Sequence, residues 1–479
     1  MPQFPNIVYI LADDQGYGDV GCFNPNCKAP TPVLDQLADD GMRFTDSHTS
    51  SAVCTPTRYS IMTGRYNWRS RLKAGVLTGE SPMLLEEDRP TVASYLQEHG
   101  YWTACVGKWH LGLGWQTEDG EPFAENSNDW EGEALKRIDY TKSVTEGPND
   151  RGFNYSFVIP SSLDIPPYVY IENGQCTGIP SEESKIGVDT PYLMRRGMAV
   201  PGMKAVDVLP TFTEKVLTKI EERSSDGADQ PFFIYFPLSA PHTPIVPTSE
   251  YRGRTDIGLY GDFVTQIDAV VGEVLACLDQ NGLADDTLVI FTSDNGASPA
   301  AKIGELKEMG HDPNYPWRGT KADIYEGGHR TPFLARWPGV VEPGSVCDRT
   351  ICTPDLFATV GSIVDDSIPE NAAGDSYDLM PLLRGENIEG NFREATVHHS
   401  VSGEFAIRKG KWKLLEARGS GGWSFPKEDE AEEMGLPPVQ LYDLERDPGE
   451  TTNLAKALPQ KVDELRELLD NYREQPRSV

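Results

Sequence analysis

The strongest constraint in this sequence is the run Asn6-Ile7-Val8-Tyr9-Ile10-Leu11-Ala12, which stops abruptly at Asp13-Asp14. A strand that is apolar on both of its faces cannot border water, so it belongs inside a sheet covered on both sides. Residues 232–236 and 288–291 repeat the pattern. Between these runs, residues 31–41, 91–100, 209–223 and 262–278 carry apolar side chains at helical spacing. The first of them opens on Thr31-Pro32 and stops at Gly41, the expected start and stop chemistry. Strands alternating with helices predict an α/β fold: a large mixed, mainly parallel sheet between helix layers.

The rhythm changes near residue 395. Residues 404–408 and 411–415 flank Gly410 as a hairpin would, and residues 440–444 add a strand before the Asp447-Pro448-Gly449 turn. Pro459 opens a last helix, with Leu465, Leu468, Leu469 and Tyr472 on one face. The expected organisation is a catalytic domain over residues 1–385 and a smaller antiparallel α+β domain over 386–479. The acidic, Gly/Ser-rich stretch 419–433 reads as a mobile loop.

The chain carries 43 basic and 74 acidic side chains, a net charge of −31. That surplus excludes nucleic acid and anionic membrane as broad partners, because phosphate surfaces are held by Lys and Arg. It leaves room for a local cluster of cations around a small anion. No apolar run reaches the ~18 residues of a membrane span. No export signal is expected within the chain as it stands, since residues 1–5 offer neither a basic start nor an apolar core. The pairs Cys22/Cys27 and Cys347/Cys352 are close enough for bridges, with buried or free thiols as the default.

Two acidic pairs follow apolar strands: Asp13-Asp14, and Asp294-Asn295 before Gly296. Ligands of open α/β sheets bind outside the carboxyl ends of strands. Adjacent carboxylates repel unless a cation neutralises them, so these oxygens suit Ca2+ or Mg2+. In the segment 51–64, Pro56 suits a first helical turn and puts Cys54 near the N-cap, with Arg58 one turn on. Taken alone, this is a thiol of lowered pKa beside an anion pocket. Lys108 and His110 alternate on one side of an extended segment. His242 sits in the rigid turn Pro241-His242-Thr243-Pro244 after a buried strand, and Lys321 lies in a Gly-rich loop.

Together these segments resemble the formylglycine-dependent sulfatases of the alkaline phosphatase superfamily. Cys54-Thr55-Pro56-Thr57-Arg58 matches that family's Cys-x-Pro-x-Arg core, with Thr63-Gly64 flanking it. Residues 100–110 match the second signature, and Asp13-Asp14, Asp294-Asn295, Pro241-His242 and Gly319-Thr320-Lys321 follow in the family's order. The resemblance implies that Cys54 is oxidised to formylglycine by a formylglycine-generating or anaerobic sulfatase-maturating enzyme. The aldehyde hydrate then supplies the nucleophilic oxygen, which replaces the thiolate role. It implies calcium, or magnesium, on Asp13, Asp14, residue 54, Asp294 and Asn295. Arg58, Lys108 and Lys321 become cations around sulfate, His242 the general acid or the contact to the leaving oxygen, and His110 the base for sulfate release. Relatives are often periplasmic or secreted.

The stretch 161–168 resembles bacterial sulfatases acting on sulfated glycans, including N-acetylgalactosamine-6-sulfate types. Asp164, His311 and Arg318 are candidate contacts to the leaving group, and Trp115 and Trp317 candidate sugar platforms. The expected activity is exo-acting carbohydrate sulfatase, with aryl sulfates also cleaved. The alternatives are a phosphonate monoester or phosphodiester hydrolase of the same superfamily, and a silent glycan-binding homologue.

Overall fold

The computed structural model describes residues 4–184, 195–225 and 230–479. Ten strands build the main sheet: β1 (Asn6–Asp13), β2 (Met42–Phe44), β3 (Trp102–Lys108), β4 (Tyr155–Ile159), β5 (Ile171–Glu172), β6 (Gln175–Cys176), β7 (Phe232–Pro241), β8 (Thr287–Ser293), β9 (Phe333–Arg336) and β10 (Ser345–Cys347). Their order is β10-β2-β9-β8-β1-β7-β3-β4-β5-β6. The strands β8, β1, β7, β3 and β4 run parallel. Their carboxyl ends therefore open on one edge of the sheet.

The all-apolar β1 sits at the centre, buried at every residue. Val8, Ile10 and Ala12 face a core shared with α1 (Pro32–Asp39), α4 (Ala205–Ser225) and α5 (Gly258–Gln280). Ile7, Tyr9 and Leu11 face a second core, built with α2 (Cys54–Thr63), α3 (Val92–Glu98) and α7 (Leu356–Val364). The side-chain period of two explains this division, since alternate residues of one strand serve opposite layers. The sheet is thus the middle of three layers, as the sequence predicts. A Cβ at Gly107 in β3 would lie 1.9 Å from the Pro237 carbonyl oxygen, so only glycine lets β3 approach β7 beside Lys108.

The smaller sheet is antiparallel, in the order β11 (Thr396–His399), β12 (Phe405–Lys409), β13 (Trp412–Leu415) and β14 (Gln440–Asp443). The helix α9 (Pro459–Glu474) covers it through Val462, Leu465, Leu469 and Tyr472. Between the sheets lies α6 (Glu326–His329).

The stretch 419–433 is a correction to the expectation of a mobile loop. Asp323 accepts hydrogen bonds from the Trp423 and Ser424 amides at 2.9 and 3.0 Å, and also from the Ser424 hydroxyl. Glu428 then collects the Arg418 and Gly419 amides, and α8 (Glu428–Glu433) follows. The buried Asp323 and the half-buried Glu428 order this segment in spite of its composition. All eight cysteines are free thiols. Among the described residues, no helix is long and apolar enough to cross a membrane.

Candidate active site

The parallel strands deliver their terminal residues to one point. Asp14 follows β1 with φ at 68°, a left-handed turn that aims the chain across the sheet end. Its amide donates to Asp294 Oδ1 at 3.1 Å, and Asn295 Nδ2 donates to Asp14 Oδ1 at 2.7 Å. A Cβ at Gly296 would lie 1.8 Å from the Gly327 carbonyl oxygen. Glycine there lets the loop that carries Lys321 close over the strand end.

Cys54 is the first residue of α2, a helix buried at all its positions. Its Sγ lies 3.3 Å from Lys321 Nζ and 3.8 Å from Asp13 Oδ1. Burial pushes the thiol up to about 12 despite Lys108 and Lys321 nearby. The sulfur is therefore a neutral thiol at physiological pH, and the lowered-pKa thiolate suggested by the helix start does not form. Desolvation outweighs the helix dipole here.

The cations divide into two kinds. Arg58 is fully buried and committed. Its Nε and Nη2 donate to Asp294 Oδ2 at 3.1 and 2.7 Å, and Nη1 donates to the Lys108 carbonyl at 2.9 Å. It braces the strand ends as a fork around one carboxylate. Lys108 Nζ donates to both Asp13 oxygens at 2.8 Å and to Ser162 Oγ at 3.2 Å. Lys321 Nζ donates to Asp14 Oδ1 at 2.6 Å. Burial opposes the Lys321 charge, but the Asp14 carboxylate overcomes it and holds the ammonium pKa well above its usual value. Burial likewise opposes ionisation of Asp13, and Lys108, then His242 and Arg58, reverse this and keep its pKa low.

The two histidines differ in what they offer. β3 ends at Lys108, so His110 is not part of an extended segment; its φ of 54° turns the ring aside. His110 Nε2 donates to the Leu77 carbonyl at 2.8 Å, and Nδ1 is buried without a hydrogen-bond partner. Burial first, then Lys108, depresses its pKa far below the usual histidine value. It presents a bare, neutral nitrogen. His242 Nδ1 donates to the Thr243 carbonyl at 2.7 Å, which leaves Nε2 facing Asp14 Oδ2 at 3.6 Å.

Donor atoms of Asp13, Asp14, Cys54 and His242 lie within 4.8 Å of one another. Asp14 Oδ2 and Asn295 Oδ1 are buried with no hydrogen-bond partner. Orphaned buried oxygens are costly, and two of them among clustered carboxylates fit a hard divalent cation.

Ser162 is the residue that sequence reasoning passed over. Its Oγ stands 3.2 Å from both Lys108 Nζ and His242 Nε2. The only hint was its place in the stretch 161–168. Asp164 joins the site, with Oδ1 3.9 Å from His242 Nδ1 and an ion pair to Arg195.

Four other candidates are held by other partners. His311 is buried, its Nε2 on Asp19 at 2.9 Å and its Nδ1 accepting from the Lys28 amide. Arg318 lies over the Tyr325 ring at 3.8 Å and donates to the Glu450 carbonyl. Both ring nitrogens of His311 are thus engaged, and so is one guanidinium nitrogen of Arg318. Trp115 is buried and donates to the Gly79 carbonyl, and the Trp317 ring is covered by the Arg330 guanidinium at 3.7 Å.

Buried cations around a strand-end carboxylate cluster suit hydrolysis of an anionic ester, and comparison with known proteins gives the class. The chain belongs to the sulfatase family, within the alkaline phosphatase-like superfamily: the family model "Sulfatase" matches residues 5–365. A second model, "N-sulphoglucosamine sulphohydrolase, C-terminal", matches residues 317–475. The chain is 33% identical to an N-acetylgalactosamine-6-O-sulfatase of Bacteroides thetaiotaomicron, over 98% of this chain and 93% of that protein. It is also 33% identical to human arylsulfatase A, over 97% and 87% of the two chains. A Bacteroides thetaiotaomicron structure from work on metabolism of multiple glycosaminoglycans superposes with a TM-score of 0.83 at 31% identity, covering 99% of this chain and all of that one. The protein is a sulfuric ester hydrolase.

Proposed function

We propose that this sulfatase acts on a sulfated saccharide, as an exo-enzyme that also accepts aryl sulfates. It works through formylglycine at position 54 and one bound calcium, with magnesium as the substitute. The observation that carries this reading is the state of Cys54, a neutral thiol held against Lys321 at the centre of the cation cluster. Such a sulfur is a poor nucleophile as it stands, yet its position is where a nucleophilic oxygen is needed. The likeness to a sulfatase acting on N-acetylgalactosamine-6-sulfate supports the sugar substrate.

Formylglycine, when formed, supplies a hydrated aldehyde oxygen as nucleophile. Asp13, Asp14, Asp294, Asn295 and residue 54 would hold the cation, which supplies Lewis-acid polarisation of a sulfate oxygen. Their all-oxygen chemistry favours calcium or magnesium over zinc.

The remaining steps belong to the chain's own groups. Lys108 and Lys321 sit pre-set against the charge that develops on the sulfate oxygens. His242 protonates the departing alcohol oxygen from Nε2, and Ser162 fixes the ring relative to Lys108. His110 accepts a proton on Nδ1, the nitrogen that its Leu77 hydrogen bond leaves bare. Asp164 and Arg195 line the side from which the alcohol departs.

A desulfation screen on defined sulfated mono- and disaccharides, with 4-nitrophenyl sulfate alongside, tests the reading. Coexpression with a maturation enzyme and peptide mass spectrometry at position 54 accompany it. Saccharide desulfation by protein carrying the aldehyde is expected. Full activity from protein with only unmodified Cys54 would refute the formylglycine reading.

A further inference from the structure

A cavity of about 400 Å³ opens beside the catalytic centre, between the backbone of residues 71–77 and the segment 125–130. It touches the centre by two routes. On one wall, the Leu77 carbonyl accepts from His110 Nε2 at 2.8 Å, and the Leu77 amide donates to Thr55 Oγ1 at 3.3 Å, one residue from Cys54. On the other wall, the Trp130 ring lies 4.6 Å from the Arg195 guanidinium. Arg195 pairs with Asp164, and Asp164 Oδ1 faces His242.

The cavity is built firmly on its far side. Glu80 is fully buried, and its Oε1 accepts from the Thr78 and Ser127 hydroxyls at 2.8 Å and from the Asp129 amide at 2.9 Å. This fixes the segment that presents Asn126, Asn128 and Trp130 to the opening. Trp130 is 36% exposed, and the two asparagines are exposed. An exposed indole face beside side-chain amides is the chemistry that meets a sugar ring, apolar on its C–H face and hydrogen-bonding at its rim.

Charge narrows the occupant further. The cation lining the cavity is Arg71, and its guanidinium is spent on the carbonyls of Glu125, Pro82 and Met83. Glu125 adds a negative charge to the wall. Among the described residues, the cavity therefore offers no free cation to a second sulfate.

We propose that this cavity is the subsite for the sugar next to the sulfated one, and that it takes an unsulfated ring. The proposal rests on the saccharide reading above. It makes the preferred substrate a chain end of at least two sugars, sulfated at the terminal unit and bare at the neighbour.

The test compares four probes. They are N-acetylgalactosamine-6-sulfate, the disaccharide joining it to galactose, the same disaccharide sulfated on galactose, and 4-nitrophenyl sulfate. The matured wild-type enzyme is expected to favour the bare disaccharide over the monosaccharide by about ten-fold in kcat/KM, the scale of one aromatic contact. Sulfation of the galactose should remove that gain. Trp130→Ala should lose several-fold more on the bare disaccharide than on the other probes, and Trp130→Phe should recover part of the loss. Asn128→Ala, which keeps the Trp130 ring over Arg195, should show the same selective loss.

Equal losses of both variants on all four probes would overturn the subsite and leave the saccharide reading standing. So would a wild type indifferent to the second sugar. A wild type that hydrolyses 4-nitrophenyl sulfate but no saccharide would overturn the saccharide reading itself, and the subsite with it.

Discussion

Asn295 Nδ2 lies 2.7 Å from Asp14 Oδ1, a bond that ties the ends of two neighbouring parallel strands while Asn295 Oδ1 and Asp14 Oδ2 stay without a hydrogen bond. Both orphaned oxygens gain a partner if a hard cation binds. Calcium is therefore expected to raise Tm, and chelation to lower it and abolish activity. Asn295→Ala and Asp14→Asn should each blunt the Tm response. A Tm indifferent to calcium in the wild type would count against the site.

Cys54 is 2% exposed, and burial pushes its thiol to about 12. In protein made without maturation, iodoacetamide should leave this residue unlabelled at pH 8 while the native fold persists. Labelling in urea should then recover it. Rapid native labelling followed by peptide mapping would show a reactive thiolate instead.

His242 stands where a departing oxygen needs a proton. His242→Ala is expected to cost about 10²-fold or more on alkyl or sugar sulfates, whose leaving groups are poor. On 4-nitrophenyl sulfate the loss should be much smaller. Equal losses would argue for a purely structural ring.

The interface between the two sheets predicts acid sensitivity. His48 and His329 face each other at 3.1 Å, His329 stacks on His398 at 3.9 Å, and Asp46, Glu326, Lys413 and Arg408 surround them. Burial lowers the pKa of all three, and drives the neighbouring His399 to about 4. Unfolded histidines take up protons near pH 6.5, whereas these folded rings refuse them. Their stabilisation is thus complete above pH 6.5 and erodes below it, by at most about 1.4 kcal/mol per group per pH unit. Glu450 has the opposite sign. Burial raises it to about 7, so the folded state keeps a proton that the unfolded chain loses above its usual range. Within this interface four histidines oppose one carboxyl, so its contribution to stability should fall between pH 7 and pH 5. Glu450→Gln should steepen that fall. A flat profile in differential scanning calorimetry would contradict this.

Much of the site was legible because its chemistry sits at strand ends. The apolar β1 and β8 predict buried parallel strands, and Asp13-Asp14 and Asp294-Asn295 follow directly from where they stop. What local sequence could not show is which groups are already spent. Arg58 reads as an open cation until Asp294 is found in its fork, and His311 and Arg318 read as free until Asp19 and Tyr325 are seen against them. Ser162 carries no signature, because its role comes only from β4 ending beside Lys108 and His242. The stretch 419–433 was misjudged for a related reason. Its composition is that of a loose coil, and the order comes from Asp323, about a hundred residues away in sequence.

That grip of Asp323 on the Trp423–Ser424 turn ties the chemistry to the integrity of the whole chain. Asp323 lies two residues beyond Lys321, so the lysine that touches Cys54 is held in place by a turn of the small sheet's own polypeptide. A protease cut before that sheet would disarm the enzyme without touching a reacting group.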